Sequence, residues 1–96
     1  MELKVDVDKL AALAETARTT AKSIAGELDD LHQSSTTLLT KWQGDAQAAY
    51  RRSASRADAQ GRTRAGELHS AAERLARLAQ EYRKADEDGA KAVLGL

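Results

Sequence analysis

The sequence predicts an all-α fold: an antiparallel two-helix hairpin that dimerises into a four-helix bundle. Three observations predict it. Apolar or small residues recur in alternating steps of three and four from Val7 to Trp42, a heptad spacing that strands cannot produce. The 96 residues contain no proline, so neither half is broken by a residue that lacks the amide donor. The only tryptophan stands near the midpoint, in Trp42-Gln43-Gly44, where glycine marks a turn.

The first helix is expected over about residues 7–41, with Asp6 or Asp8 at its cap. Its seam reads Val7, Leu10, Ala14, Ala17, Ala21, Ile24, Leu28, Leu31, Ser35, Leu38 and Trp42. Ser34-Ser35-Thr36-Thr37 is a weak patch, because these side chains compete for backbone hydrogen bonds or lose rotamer freedom. The helix is expected to continue through it. At the turn, Gly44 suits a left-handed position and Asp45 suits the cap of the next helix.

The second helix is expected over about residues 45–88. Its seam reads Ala46, Tyr50, Ser53, Ala57, Gln60, Arg64, Leu68, Ala71, Leu75, Leu78, Tyr82 and Ala85. Two consecutive steps of four between Gln60 and Leu68 form a stutter, bracketed by Gly61 and Gly66. Gly89 is expected to end the helix and leave residues 89–96 as a flexible tail on a single 1–96 domain.

Folding back at Gly44 sets Leu28, Leu31 and Leu38 against the small stretch Ser53 to Ala57. It sets Leu68, Leu75 and Leu78 against Ala12 to Ala21. Large residues then meet small ones along the rod, as interdigitated packing requires. With Leu10 and Ile24, these six leucines are the expected core of hairpin and dimer. Hydrophobic residues are 42% of the chain, but phenylalanine is absent and aromatics are 3%. Alanine supplies much of the apolar content, so burial at about 25 cal/mol per Å² falls short of what an isolated hairpin needs to offset its ordering entropy. A partner is expected.

Charge points to the arrangement of that partner. Residues 1–30 hold seven acids and four bases, net −3, whereas residues 41–64 hold six bases and two acids, net +4. Two antiparallel copies would set each basic turn end beside an acidic open end, which fixes orientation more than affinity.

Several functions are disfavoured. Formal charge is zero, and the arginines Arg51, Arg52, Arg56 and Arg62 are interrupted by Asp58, so no nucleic-acid partner is expected. No apolar stretch reaches the ~18 residues of a bilayer span, so no stable membrane insertion is expected. The opening Met1-Glu2-Leu3-Lys4-Val5-Asp6 lacks the apolar run of a Sec-type signal, and export, if it occurs, takes another route. Cysteine is absent. His69 and Glu73, four residues apart, with only His32 besides, make a poor ligand set and read as a solvated helix pair. No catalytic residues, metal site or cofactor are expected, and the chain is not expected to be an enzyme.

Trp42-Gln43-Gly44 between two long helices, with Tyr82-x-x-x-Asp86 near the end of the second, resembles the Trp-x-Gly (WXG, ESAT-like) family. These are substrates, about one hundred residues long, of the type VII (ESX) secretion systems of actinobacteria and firmicutes. The resemblance covers essentially the whole chain. The opening around Asp6 to Leu10 also looks like the related EspC-type excreted proteins, which usually lack the Trp-x-Gly turn. Family resemblance implies an antiparallel homodimer, or a heterodimer with a second WXG-type protein, that leaves the cell folded. It also implies a composite export signal: Tyr82 and Asp86 of one subunit beside Trp42 and Gly44 of the other. The tail, with Val93 and Leu94, is then read by the membrane ATPase of the secretion machine. Two other readings stay open: an escort subunit for another type VII effector, and an unrelated cytoplasmic coiled-coil adaptor. Alanine and arginine richness points to a high-GC actinobacterial host.

Overall fold

Helix α1 runs from Val7 to Leu39 and helix α2 from Asp45 to Leu94. This computed structural model describes residues 6–94, with side-chain surroundings for residues 6–89. The two helices pack antiparallel as a rod measuring 76 × 21 × 18 Å, and no strand occurs among the described residues.

The start of α1 is set by Asp6. Its backbone is extended, its side chain accepts from the Lys9 amide at 3.1 Å, and its carbonyl accepts from the Leu10 amide. Asp8 lies in the first turn, where an acid favours the helix dipole. The Ser/Thr patch stays helical: Thr36 Oγ1 donates to the His32 carbonyl and Thr37 Oγ1 to the Gln33 carbonyl, four residues back. These bonds occupy the hydroxyls without breaking the backbone ladder.

At the turn, Gly44 adopts φ 82°, the left-handed region that its missing Cβ permits. Its carbonyl accepts the first bond of α2, from the Ala48 amide at 3.1 Å. Gly44 is therefore the cap, and Asp45, expected there, is the first helical residue. Its carboxylate still favours the helix N-terminus through the dipole.

Two expectations for α2 are corrected. The helix does not stop at Gly89 but continues to Leu94. One glycine costs only about 1 kcal/mol in a helix, and strong helix formers surround it. The second correction concerns the seam. Ser53, Ala57, Gln60, Arg64 and Ala71 are exposed, and the inward line runs through Tyr50, Ala54, Asp58, Gly61, Ala65, Leu68, Ala72, Leu75 and Ala79. The two consecutive steps of four fall between Tyr50 and Asp58, one turn after the loop.

The innermost residues are alanines at heptad intervals: Ala14 and Ala21 on α1, Ala65, Ala72 and Ala79 on α2. Ser35 continues the α1 line and is buried too. Leu10, Ile24, Leu28, Leu68 and Leu75 are half-buried around this seam. Small side chains bring two helices close together, and at Gly61 the approach is tightest. A Cβ there would lie 3.0 Å from Leu28 Cδ2. Glycine at this point lets the α1 leucine lie flat against the α2 backbone.

A rod with an alanine seam leaves much surface wet. Its accessible area is 7633 Å², against about 5,400 Å² expected for a compact monomer of 10.3 kDa.

Candidate recognition surface

The turn is built from its side chains as much as from its backbone. Gln47, at the third position of α2, donates from Nε2 to the carbonyls of both Leu39 and Trp42, each at 2.8 Å. It ties the end of α1 to the start of α2. Thr40 Oγ1 adds a bond to the Thr37 carbonyl. The Trp42 ring meets the Tyr50 ring edge-on, with centroids 5.2 Å apart and planes at 71°. The Tyr50 hydroxyl in turn lies 3.2 Å from the buried Ser35 Oγ. Trp42 is nonetheless 39% exposed: one edge is anchored and the rest of the ring is presented.

The roles of Gln47 and Ser35 were not foreseen from the sequence. A signal existed for the first, since glutamine at the third helical position is where a side chain reaches back over the N-terminus. For Ser35 there was only its place on the heptad line.

Tyr82 and Asp86 sit at the opposite end of the rod. Tyr82 is exposed to the same extent as Trp42, and Asp86, Glu87 and Asp88 are exposed. Beside them Arg83 reaches Asp8 at 3.4 Å, closing the open end. Val93 and Leu94 lie in the last turn of α2, and their side chains fall outside the described residues. Forty residues at 1.5 Å each place Tyr82 on the order of 60 Å from Trp42 within one chain. The hairpin alone does not bring the four motif residues together.

The two long edges of the rod differ in chemistry. One carries three ion pairs between the helices: Arg18–Glu73 and Arg62–Asp29, both at 2.8 Å, and Arg83–Asp8. Arg62 also holds Asp58 on its own helix. The hydrogen bonds to Asp58 and then Asp29 raise the Arg62 pKa above its ordinary value. His69 Nε2 lies 3.8 Å from the Glu73 carboxylate that Arg18 already holds.

The other edge carries the exposed leucines, with Gln60 and the Arg64–Glu67 pair beside them on α2. Leu13, Leu31, Leu38 and Leu78 are exposed, Leu31 to 60%. Leu13 and Leu31, eighteen residues apart, fall on one line of α1, and the ion-pairing residues lie about 140–160° away from the leucine line on each helix.

Toward the turn end the helices part around a cavity of about 920 Å³, lined by residues that include Leu28, Leu31, Ser35, Leu39, Tyr50, Ala54 and Ala57. It runs from the Leu28–Gly61 contact to the turn, and its lining is mixed: His32, Thr36, Gln47, Arg51 and Asp58 reach it beside the small Ser53, Ala54, Ser55 and Ala57. Among the described residues, no group of three or more histidines or acids could hold a metal ion. Among the described residues no helix is long and apolar enough to cross a membrane.

No curated protein and no solved structure matches this chain. A family match does exist, and it spans α1, the Trp42-Gln43-Gly44 turn and α2 as far as the Tyr82–Asp86 segment. Over residues 2–87 the chain matches WXG100, proteins of 100 residues with WXG, and it belongs to that family.

Proposed function

We propose that this chain is a substrate of a type VII (ESX) secretion system, exported folded and as a dimer, and that its task at the secretion machine is presentation rather than chemistry. The observation that carries the reading is the pair of half-exposed aromatics at opposite ends of a rigid rod. Trp42 is held by Gln47 and Tyr50 in a turn that exposes its ring, and Tyr82 is offered one turn from the Asp86 carboxylate. Separated by the length of the rod in one chain, they become neighbours when two rods pair head to tail.

Charge supports that arrangement. The turn end is basic, and the open end is acidic on both helices: residues 65–89 of α2 add six acids against four bases to the net −3 of residues 1–30. Area supports pairing itself. The roughly 2,200 Å² by which the rod exceeds a compact monomer is larger than the ~800 Å² per partner that a stable interface buries. In the dimer, Trp42 and Gly44 of one subunit and Tyr82 and Asp86 of the other form the composite signal. The end of α2, with Val93 and Leu94, is offered to the membrane ATPase. The protein is made in the cytoplasm and leaves by a route independent of Sec.

Secretion assays in a host with a working type VII system test this. Tyr82→Ala and Trp42→Arg each abolish export while the helical circular-dichroism signal is retained. Export of both variants at wild-type levels overturns the composite signal.

A further inference from the structure

We infer that the cavity at the turn end binds a long-chain carboxylate, with Arg51 holding the acid group and the alkyl chain lying between the helices. The inference goes beyond the secretion reading and does not depend on it. It starts from the ion-paired edge. The three pairs that cross between the helices, Asp8–Arg83, Arg18–Glu73 and Asp29–Arg62, follow one another in steps of ten and eleven residues on each helix. One more step of eleven toward the turn reaches Arg51 on α2 and Thr40 on α1. A fourth cation is in place, and a neutral hydroxyl stands where its acid would be. Thr40 Oγ1 is taken by the Thr37 carbonyl. Among the described residues no ion pair includes Arg51. Asp58, the acid in the cavity lining, is already held by Arg62 at 2.9 Å.

Arg51 lines the cavity, whose volume of about 920 Å³ lies within the roughly 300–1,000 Å³ of small-molecule sites, which form between helices from apolar walls and a few polar groups. Arg51 and Ser55 stand eleven and seven residues from Arg62, and Thr40 and Thr36 stand eleven and seven from Asp29. Both intervals are near whole turns, so these four lining residues stand on the ion-paired edge and the mouth opens there. The exposed leucines lie on the opposite flank, and pairing along them leaves this mouth open. Inside, the half-buried Leu28, Leu39 and Ala54 offer apolar wall.

The ends of the cavity limit its occupant. Toward the middle of the rod, Leu28 lies against Gly61. At the turn, Gln47 ties the Leu39 and Trp42 carbonyls to α2. The helix between Leu28 and Leu39 spans about 17 Å. A continuous partner helix or strand is stopped at these ends, whereas a single alkyl chain fits between them. The planar Arg51 fork can pair a carboxylate through two hydrogen bonds. The base excess of residues 41–64, net +4, favours an anion over a cation.

The probe is dodecanoate, kept below its micellar concentration and titrated into the full chain by calorimetry. Saturable binding is expected, with acetate and dodecyltrimethylammonium, which keep only the acid group or only the chain, weaker by about tenfold or more. Arg51→Gln is expected to weaken dodecanoate by about tenfold, the loss of one charge-assisted pair. Arg52→Gln makes the same change of charge one residue away, outside the lining, and leaves the affinity unchanged. Ala54→Phe narrows the cavity and weakens dodecanoate while circular dichroism stays helical; if that variant unfolds, the Arg51 and Arg52 comparison decides alone.

Absence of saturable binding overturns the site, as does full affinity in a folded Ala54→Phe variant. Equal losses in Arg51→Gln and Arg52→Gln assign the binding to the charge of the turn end as a whole and overturn it too. Equal affinity for the cationic amphiphile, or a fall in native mass during the titration, moves the amphiphile to the exposed leucines with the same consequence. None of these outcomes bears on export, which the Tyr82→Ala phenotype decides separately.

Discussion

The two edges of this rod use different interactions for different ends. On one edge, ion pairs cross between the helices near the open end, the middle and the turn half, joining Asp8 to Arg83, Arg18 to Glu73 and Asp29 to Arg62. On the other, leucines stand in water with nothing across from them. Exposed ion pairs contribute little energy, about 0–1 kcal/mol each, but they are directional and fix how one helix sits beside the other. These leucines are only partly covered in the lone hairpin, and the exposed remainder of each can supply about 0.5–2 kcal/mol once covered, a fraction of the value for full burial. The ion-paired edge sets the register of the hairpin; the leucine edge holds the energy for association. Between them lies an alanine seam that lets the helices approach but buries little area.

The largest effect is therefore expected from charging the leucine edge. Leu31→Glu combined with Leu78→Glu should leave the helical signal of the chain intact at high concentration and weaken self-association at least a hundredfold, measured by analytical ultracentrifugation. The same two charges on the ion-paired edge, for example at the exposed Thr19 and Gln80, should do far less. If both pairs of substitutions dissociate the protein equally, the edges are not specialised in this way.

The seam gives the next largest effect. Ala72 is fully buried, and Ala72→Leu forces the helices apart where no space exists. Overpacking of this kind costs about 1–3 kcal/mol, a fall of roughly 5–20 °C in melting temperature for a chain of this size. An unchanged melting temperature would mean that the alanine seam is not closely packed in solution.

Much of this architecture was legible in the residues. The 3–4 pattern of α1 marked Ala14, Ala21 and Ser35 as inward, and they are buried. Trp42-Gln43-Gly44 marked the turn, and Asp6 was one of two residues named for the first cap. The seam of α2 was misplaced in its first half because its apolar content there is too low to define a face. Ser53, Ala54, Ser55, Ala57 and Ala59 differ little in size, so one helical line is as plausible as the next. The structure resolves it through Gly61, which must lie under Leu28, and Tyr50, whose hydroxyl must reach Ser35. Both are pairings between distant residues that no local pattern contains. The end of α2 was misjudged for the opposite reason: glycine was taken as a stop, where the surrounding helix formers outweigh it. At the candidate site, the motif residues were readable by resemblance, but the half-exposure of Trp42 depends on Gln47 and Tyr50 acting together. The division into two edges was missed, because it requires knowing which flank of each helix the partner helix leaves open.

A smaller effect is expected at the top of the cavity. Tyr50→Phe keeps the ring against Trp42 but removes the bond to the buried Ser35 hydroxyl. A lost hydrogen bond of this type costs about 1 kcal/mol, read as a shift in the urea midpoint. Ser35→Ala on the Tyr50→Phe background should add little, since the hydroxyl it removes has already lost its partner. Comparable losses from the two changes, summing in the double variant, would show that the bond does not form.

The smallest effect belongs to the ion-paired edge. Arg18 holds Glu73 at 2.8 Å and Glu15 at 3.1 Å, with Arg18 31% and Glu73 41% exposed. A double-mutant cycle with Arg18→Ala and Glu73→Ala should give a coupling of about 0.2–1 kcal/mol, which shrinks as salt rises and the Debye length falls below ~10 Å. Its energetic insignificance is what makes it informative. If the pair orients the helices rather than stabilising them, the cycle stays small while the geometry changes. The test is to combine Arg18→Ala with spin labels on Lys22→Cys and His69→Cys, exposed positions at one height on the two helices. Loosened register should broaden the distance distribution between the labels at unchanged stability, whereas an unchanged distribution would leave register to the alanine seam and the Leu28–Gly61 contact alone.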